Sequence, residues 1–331
     1  MPLIIDEKEI TKAPIVDDFV QSFPQFKESS DELLKQNVNV IGPEQLVYIG
    51  QRELAGTSPC DDVISILGSE DATTCHIMVL RHTGSGAAAM VHFDGSSVAE
   101  GLKTMVSIVE DLTEDKNAGK LEVLLVGGFL DERKNSHEVS NKVLKALCES
   151  PHRLHLITAC ITHFNTEYRN SVPFPIIYGS FTTSILAVCQ IKGDVHINTC
   201  EQAYDVKSGK LLRATFPNKG PDMGLRGARH CTGGKENLNV YNPQTRRLEI
   251  GPFHYDQLPN VDLFLTFPES HMRKFLSTSP EQEPESFYES IRAALIQLRD
   301  FPNPLQTVFQ GGKAKIYTKE KNSGSWQLQL V

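Results

Sequence analysis

Three side chains with the chemistry of a cysteine hydrolase lie within 24 residues of one another: Ser69, Cys75 and His92. A thiol can act as a nucleophile, an imidazole as a general base and acid, and a hydroxyl can orient the imidazole. No other part of the sequence combines these three groups at a comparable spacing. We therefore predict a hydrolase site in which Cys75 is the nucleophile, His92 the proton carrier and Ser69 the orienting group.

The residues around this trio predict two antiparallel strands. Strand-like runs at 74–82 and 87–93 flank a short turn that contains two glycines, which can adopt positive φ. The turn predicts a register in which Ile77 faces His92. His92 is then a diagonal neighbour of Cys75 on one face of the sheet, at roughly 7–8 Å between backbone positions. A shift of one residue would place the two side chains on opposite faces.

The positions next to the thiol carry further predictions. Ser69 would share the face of Cys75 if residues 70–74 form the connection between their strands. The imidazole would lower the pKa of the thiol, and backbone N–H groups at Thr74 and Cys75 would form an oxyanion hole. The alternative is that the cysteine and histidine are ordinary packed residues. The two other histidines of this region, His76 and His82, are predicted to be structural or surface residues.

Composition limits the classes of function. The 331 residues are 40% hydrophobic and 22% charged, which is typical of a soluble globular protein. A formal charge of −8 disfavours nucleic-acid binding, and no apolar run or signal-peptide pattern indicates a membrane segment. The seven cysteines include no Cys-x-x-Cys pair, which argues against disulfides and structural zinc and favours an intracellular protein. Since metal-ligand and nucleotide-binding motifs are also missing, we predict no metal and no cofactor.

The pattern of apolar residues predicts an α+β fold with mixed or antiparallel sheets in a layered sandwich and helices on the outside. The first 35 residues are predicted to be irregular except for a short helix near 30–35. The predicted strands of the first half are Gln45–Gly50, Val63–Ser69, Thr74–His82, Ala87–Phe93, Leu121–Val126, Leu154–Thr162 and Phe174–Tyr178. One helix starts at a capping box of Ser97 and Glu100, and a second has Val139 and Val143 on its apolar face.

Beyond about residue 203 the pattern is typical of hairpins. The predicted strands there are 204–206, 210–216, 237–241, 247–250, 261–267, 314–318 and 325–330, and residues 284–300 are predicted to be helical. The last two strands are predicted to form a closing hairpin. We expect one domain over 1–331, with a catalytic core at about 40–180 and a hairpin-rich C-terminal lobe at about 203–331.

Several sequence blocks are specific enough to point to a family. They include Gln51-Arg-Glu-Leu, the block from Ser65 to His76, Leu121-Glu-Val-Leu-Leu-Val-Gly-Gly-Phe and Leu276-Ser-Thr-Ser-Pro. These blocks closely resemble the eukaryotic protein N-terminal asparagine amidohydrolases, and the resemblance covers nearly the whole chain. The sequence spacing between Cys75 and His92 also resembles that of the catalytic cysteine and histidine in CheD-type glutamine deamidases and in cytotoxic-necrotizing-factor-like deamidases. The resemblance implies a CheD-like core with an added C-terminal part.

The resemblance also implies a reaction, which is hydrolysis of the side-chain amide of an N-terminal Asn to Asp with release of ammonia. Cys75 would attack the amide carbon, His92 would protonate the departing ammonia, and Ser69 would orient His92. The implied partners are proteins with a free N-terminal Asn. Arginyl transfer and ubiquitin ligases would act on the product. The implied location is the cytoplasm, with the nucleus as a second compartment.

Specificity for an amino terminus requires a group that binds the α-ammonium, and a carboxylate is the expected partner. Glu70 and Asp71 lie nearest to Cys75 in sequence. We favour Asp71, although both residues could instead cap a solvated turn. Gly128 would let the backbone approach the substrate, or would only form a turn with Gly127. Pro2 would shape the substrate pocket if the N-terminus packs beside it, or would lie in a frayed end.

The chain departs from the family pattern at residues 180–202. About twenty residues intervene there, which we interpret as an insertion, an alternatively spliced exon or a gene-model error, and we predict an extra hairpin or a poorly ordered loop.

Two rival functions stay open at this point. One is deamidation of internal Gln, and the other is a non-catalytic binding or scaffold protein that retains a packed Cys–His pair.

Overall fold

The computed structural model describes residues 3–183, 211–231, 234–320 and 323–329. Its strands are β1 (Leu3–Ile5), β2 (Lys8–Ile10), β3 (Asn39–Val40), β4 (Leu46–Tyr48), β5 (Glu53–Thr57), β6 (Ile66–Ser69), β7 (His76–His82), β8 (Ala88–Phe93), β9 (Leu121–Gly127), β10 (Leu154–Ile161), β11 (Thr166–Arg169), β12 (Val172–Pro175), β13 (Ser180–Thr183), β14 (Leu212–Thr215), β15 (Leu238–Asn239), β16 (Tyr241–Asn242), β17 (Arg247–Ile250), β18 (Lys315–Lys319) and β19 (Trp326–Leu328). Its α-helices are α1 (Val16–Ser22), α2 (Gln25–Leu34), α3 (Val98–Asp111), α4 (Asn135–Glu149), α5 (Met223–Ala228), α6 (Val261–Leu265), α7 (Glu269–Leu276), α8 (Phe287–Asp300) and α9 (Pro304–Thr307). Short 3₁₀ turns lie at Thr162–Asn165, Arg229–Cys231 and Gln310–Gly312.

An eight-stranded sheet forms the centre of the fold, with the strand order β15-β5-β8-β7-β9-β10-β1-β2. The sheet is mixed, since β7 is antiparallel to both β8 and β9, whereas β9 and β10 are parallel. Strand β7 is therefore hydrogen-bonded on both sides. A second sheet of five strands has the order β3-β14-β13-β6-β4. The prediction of an α+β fold is confirmed, whereas its CheD-like core stays a prediction.

The alternation of side chains in β7 explains the layers. Ile77 and Val79 pack with Val47 and Leu67 of the five-stranded sheet. The intervening residues point the other way and pack against helices α3 and α4. Because side chains of a strand point alternately to opposite faces, one run of apolar residues supplies both interfaces. The eight-stranded sheet is thus the middle layer, with helices on one face and the second sheet on the other.

Three predictions for individual elements are wrong. The first 35 residues are not irregular, because β1 pairs with β10 and β2, and α1 and α2 follow; only the short helix predicted near 30–35 is confirmed, as the end of α2. Ser97 precedes α3 with φ of 45° and makes no side-chain capping hydrogen bond, so the predicted capping box does not form. The segment predicted as strand 261–267 is helix α6.

The closing hairpin is confirmed, since β18 and β19 pair antiparallel. The predicted helix 284–300 corresponds to α8. The predicted strand 204–206 and most of the segment 180–202 lie outside the described residues, although Ser180–Thr183 forms β13 beside β6. Within the described part of the chain, no helix is long and apolar enough to cross a bilayer.

Candidate active site

The predicted register of β7 and β8 is confirmed, because Ile77 pairs with His92. Cys75 directly precedes β7 and packs in the same apolar cluster as Ile77 and Met90. Alternation along β8 places His92 on the same face as Met90. Cys75 and His92 therefore lie on one face of the eight-stranded sheet, the face that meets the five-stranded sheet.

Ser69 reaches His92 from the other sheet. It is the last residue of β6, and its Oγ lies 2.9 Å from His92 Nδ1. Its hydroxyl also donates to the carbonyl of Ile49 at 2.7 Å. A hydroxyl has one proton to donate and a carbonyl can only accept, so Ser69 accepts the second bond from an Nδ1–H group. This network assigns the His92 tautomer with its proton on Nδ1 and a lone pair on Nε2.

That lone pair is available for chemistry. His92 Nε2 is buried and has no hydrogen-bond partner among the residues that the structure describes. Burial is the main reason why the pKa of His92 is lowered to about 4, while the charges of Asp71 and Asp94 act in the opposite direction. His92 is therefore neutral at neutral pH, as a general base must be.

The thiol of Cys75 is also neutral. Burial is the largest cause of a raised pKa, and the carboxylates of Asp94 and Glu283 add to it, while Arg52 and a hydrogen bond with Thr74 oppose it. Our prediction that the imidazole lowers the pKa of this cysteine is therefore wrong for the free protein. Because the thiolate is the nucleophilic form of cysteine, a neutral Cys75 would have to lose its proton in order to react as a nucleophile.

Two glycines hold the backbone of Cys75. The N–H of Gly128 donates to the carbonyl of Cys75 at 2.9 Å. A Cβ on Gly127, which has φ of +126°, would lie 2.4 Å from the same carbonyl oxygen. The close approach and the positive φ both require glycine. The glycine pair thus makes a turn and permits close backbone contact, and substrate binding by Gly128 stays a prediction.

The acidic residues before Cys75 already have partners. Lys219 lies 2.8 Å from Glu70 Oε1 and also pairs with Asp71. Glu70 is buried, and its second oxygen accepts a hydrogen bond from the N–H of Phe216. Capping of a solvated turn, the alternative that we considered for these residues, is therefore wrong for Glu70. Asp71 has φ of 63° and is partly buried, and its role in substrate binding stays a prediction.

One functional candidate was missed in the sequence. Glu283 lies in the loop between α7 and α8, and Thr73 donates to its Oε2 at 3.4 Å. Ser277 donates to the other oxygen. Its pKa is raised chiefly by burial, and Asp71 adds to this effect. Glu283 is separated from Cys75 by about two hundred residues, so no local spacing could have revealed it.

The remaining predicted residues are easily placed. His76 is buried with Nε2 2.7 Å from Ser140 Oγ, and His82 is buried with Nδ1 3.1 Å from Ser85 Oγ. Both are structural residues rather than surface residues. Pro2 lies outside the described residues.

Comparison with known proteins identifies the family of this chain. The family model described as "Protein N-terminal asparagine amidohydrolase" matches residues 36–192 and 190–328. The chain is 38% identical to the mouse (Mus musculus) protein of that name and 37% identical to the pig (Sus scrofa) protein, over 99% of this chain and 98% and 97% of theirs. An Arabidopsis thaliana protein of the same name is 23% identical over 96% of this chain and 91% of its own length. The chain belongs to the protein N-terminal asparagine amidohydrolase family.

Proposed function

We propose that this enzyme hydrolyses the side-chain amide of an N-terminal asparagine and so converts it to aspartate and ammonia. The observation that carries the proposal is the buried Nε2 of His92, which has no partner in the described part of the chain and lies on the sheet face of Cys75. A base nitrogen whose tautomer is set by Ser69 suits a thiol that must lose its proton during attack. The chain covers almost the full length of relatives named protein N-terminal asparagine amidohydrolase, and this supports an N-terminal asparagine as the substrate.

The proposed reaction starts with attack of Cys75 Sγ on the amide carbon while the thiol proton moves to His92 Nε2. The C–N bond then breaks, and the same proton passes to the leaving nitrogen, which departs as ammonia. A thioester between Cys75 and the former asparagine remains. Water then attacks the thioester carbon, His92 takes a proton from the water, and the returning proton releases the Cys75 thiol together with aspartate.

Developing negative charge on the carbonyl oxygen needs hydrogen-bond donors. We assign this role to backbone N–H groups at Thr74 and Cys75, which lie where the loop enters β7. The turn at Gly127 and Gly128 holds this segment by its hydrogen bond to the carbonyl of Cys75. The donors are thus part of a backbone that is set before the substrate arrives.

The α-ammonium of the substrate would bind between Asp71 and Glu283. Within the described part of the chain, no lysine or arginine forms an ion pair with the carboxylate of Glu283, whereas Asp71 is paired with Lys219. The charge of Glu283 is felt by Cys75, and that of Asp71 is felt by Glu283. An incoming ammonium would therefore neutralise a partly buried carboxylate whose charge also acts on Cys75.

Turnover of three matched peptides tests the function. Peptides that start with Asn, Gln and acetylated Asn are incubated with the protein and with Cys75→Ala, and ammonia and product mass are followed. We expect turnover of the free Asn peptide only, and none with Cys75→Ala. Equal turnover of the acetylated peptide would remove the amino-terminal specificity, and activity in Cys75→Ala would remove the nucleophile. A fourth peptide with an internal Gln tests the rival deamidase function, which its preferred turnover would support.

We further propose that the product feeds protein degradation. An N-terminal Asp would be a substrate for arginyl transfer and then for a ubiquitin ligase, and the enzyme would act in the cytoplasm or nucleus. The proposal rests on the family resemblance. A reporter protein with N-terminal Asn should be longer-lived in cells that carry only Cys75→Ala, whereas a reporter with N-terminal Asp should be unaffected. Equal lifetimes of the Asn reporter would contradict this role.

A further inference from the structure

A second group of ligand-type side chains lies apart from the Cys75 site. Asp17 on α1, His137 on α4 and His163 in the 3₁₀ turn after β10 converge, and their ligand atoms all lie within 4.8 Å of one another. Asp17 Oδ1 is 3.3 Å from His137 Nε2 and 3.7 Å from His163 Nε2. Each residue comes from a different element, so the arrangement is a product of tertiary packing.

The spacing of these atoms fits a metal ion. Zinc bonds to histidine nitrogen and carboxylate oxygen are about 2.0–2.1 Å long, and a tetrahedral arrangement then separates ligand atoms by about 3.3–3.4 Å. The two separations from Asp17 are 3.3 and 3.7 Å, and the ligand atoms of the two histidines lie within 4.8 Å of each other, so the two imidazoles would have to turn toward each other for all three atoms to contact one ion. We propose that Asp17, His137 and His163 bind a zinc ion, with water at the fourth position because Asp17 and His163 are exposed to solvent.

The ligand types suit a divalent cation. One carboxylate oxygen of Asp17 faces both imidazoles, whose ring centroids are 5.8 Å apart. Two imidazole nitrogens and a carboxylate oxygen form the nitrogen and oxygen ligand set that zinc accepts. Our expectation of a protein without metal came from motif spacing, which cannot detect ligands at positions 17, 137 and 163.

The role that the geometry suggests is structural. Ser136, the neighbour of His137, accepts a hydrogen bond from the N–H of Phe129 at 3.1 Å. Asn165, two residues after His163, donates to the carbonyl of Gly128 at 2.9 Å. The ion would therefore connect α1 to α4 and to the 3₁₀ turn Thr162–Asn165, which both contact the segment Gly128–Phe129 beside Cys75. Within residues 3–183, 211–231, 234–320 and 323–329, the buried His137 Nδ1 has no hydrogen-bond partner that would strengthen this ligand, and we expect moderate affinity.

Metal titration of the full chain tests the proposal. The Cys75→Ala background removes the thiol of the catalytic site, which would otherwise compete for zinc. After chelator treatment and dialysis, we expect one equivalent of Zn²⁺ by calorimetry, a rise in Tm, and a visible Co²⁺ spectrum typical of tetrahedral nitrogen and oxygen ligands. These readouts do not depend on turnover, so they are independent of the proposed amidohydrolase function.

Three variants in that background assign the ligands. Asp17→Ala and His163→Ala should each weaken Zn²⁺ binding at least tenfold and abolish the rise in Tm. The control is His254→Ala, because His254 lies 3.0 Å from Asp256 and belongs to no group of three ligands among the described residues. Both ligand substitutions lie at exposed positions, and circular dichroism verifies that the variants fold. Absence of saturable Zn²⁺ binding, or equal affinity in all three variants, would overturn the proposal.

Discussion

Ser69 Oγ lies 2.9 Å from His92 Nδ1, although Ser69 ends a strand of the five-stranded sheet and His92 belongs to the eight-stranded sheet. The hydrogen bond therefore crosses the interface between the two layers. Because the Ser69 proton is directed at the carbonyl of Ile49, the bond also determines which nitrogen of His92 can accept a proton. Packing of the two sheets thus determines which ring nitrogen of His92, the proposed base, carries the proton.

Substitution Ser69→Ala should lower kcat. It removes the acceptor of His92 Nδ1–H and the donor to Ile49, and leaving buried polar groups unpaired costs about 1–3 kcal/mol, which corresponds to roughly 5- to 150-fold in rate. KM for an Asn peptide should change little, because Ser69 does not touch the substrate in our mechanism. The control is Ser65→Ala, which loses a hydrogen bond to Gln45 Oε1 but none to a histidine. An equal loss of kcat in both variants would contradict the orienting role.

The pH profile of kcat/KM should have a low acid limb. The pKa of His92 is lowered to about 4 by burial, so the base stays unprotonated well below the usual imidazole range. In the wild-type protein, activity should first fall as the Glu283 carboxylate takes up a proton, since its pKa is raised. In Glu283→Gln, which lacks this carboxylate, activity should fall only as pH drops toward about 4. Both proteins should also lose activity above about 8, where the substrate α-amino group loses its proton. Initial rates and circular dichroism at each pH separate titration from unfolding, and an acid limb near 6.5 in folded Glu283→Gln would argue against His92 as the base.

Alkylation should distinguish Cys75 from an ordinary surface cysteine. The pKa of Cys75 is raised, so the free enzyme holds little thiolate near pH 8. Iodoacetamide should then modify Cys75 more slowly than the exposed Cys60, as measured by peptide mass mapping against time. Faster labelling of Cys75 would indicate a thiolate–imidazolium pair in the resting enzyme and a different activation of the nucleophile.

Substitution Gly127→Ala should destabilise the protein and reduce activity. The new Cβ would lie 2.4 Å from the carbonyl oxygen of Cys75, in addition to the strain of φ at +126°. Gly311→Ala is a matched control, since its φ is +68° and no atom of the described residues lies within 4 Å of the added Cβ. Strain at such φ values costs about 1–3 kcal/mol. Urea unfolding should therefore show a larger loss for Gly127→Ala, and equal losses would exclude the clash.

Substitution Glu283→Gln should raise KM for a peptide with free N-terminal Asn. It removes the negative charge that we assign to the α-ammonium, and hydrogen bonds to charged groups contribute about 1.5–3 kcal/mol, or roughly 10- to 150-fold in kcat/KM. Glu281→Gln is the control, because Glu281 is an exposed carboxylate two residues away. Asp71→Asn measures how much the second carboxylate contributes to binding of the α-ammonium. Unchanged kcat/KM in Glu283→Gln with a loss in Asp71→Asn would move the subsite to Asp71 alone.

The sequence by itself determined the local part of the site. Because a strand has a period of two residues, a short turn between two apolar runs was enough to predict that Ile77 faces His92 and that Cys75 shares its face. Specific blocks around Cys75 were enough to indicate the family. Elements with clear periodicity, such as α3, α4 and α8, were predicted for the same reason.

Tertiary structure decided what depends on distant parts of the chain. The contact of Ser69 with His92 arises because two sheets pack together. Glu283 and Lys219 contact the loop between Ser69 and Cys75 although they lie far along the chain. The proposed metal ligands Asp17, His137 and His163 come together where three elements meet. Burial decided the charge state, since it raises the pKa of the thiol and lowers that of the imidazole. Sequence spacing reports neighbours along one strand or helix, whereas burial and long-range contacts exist only once the layers have packed.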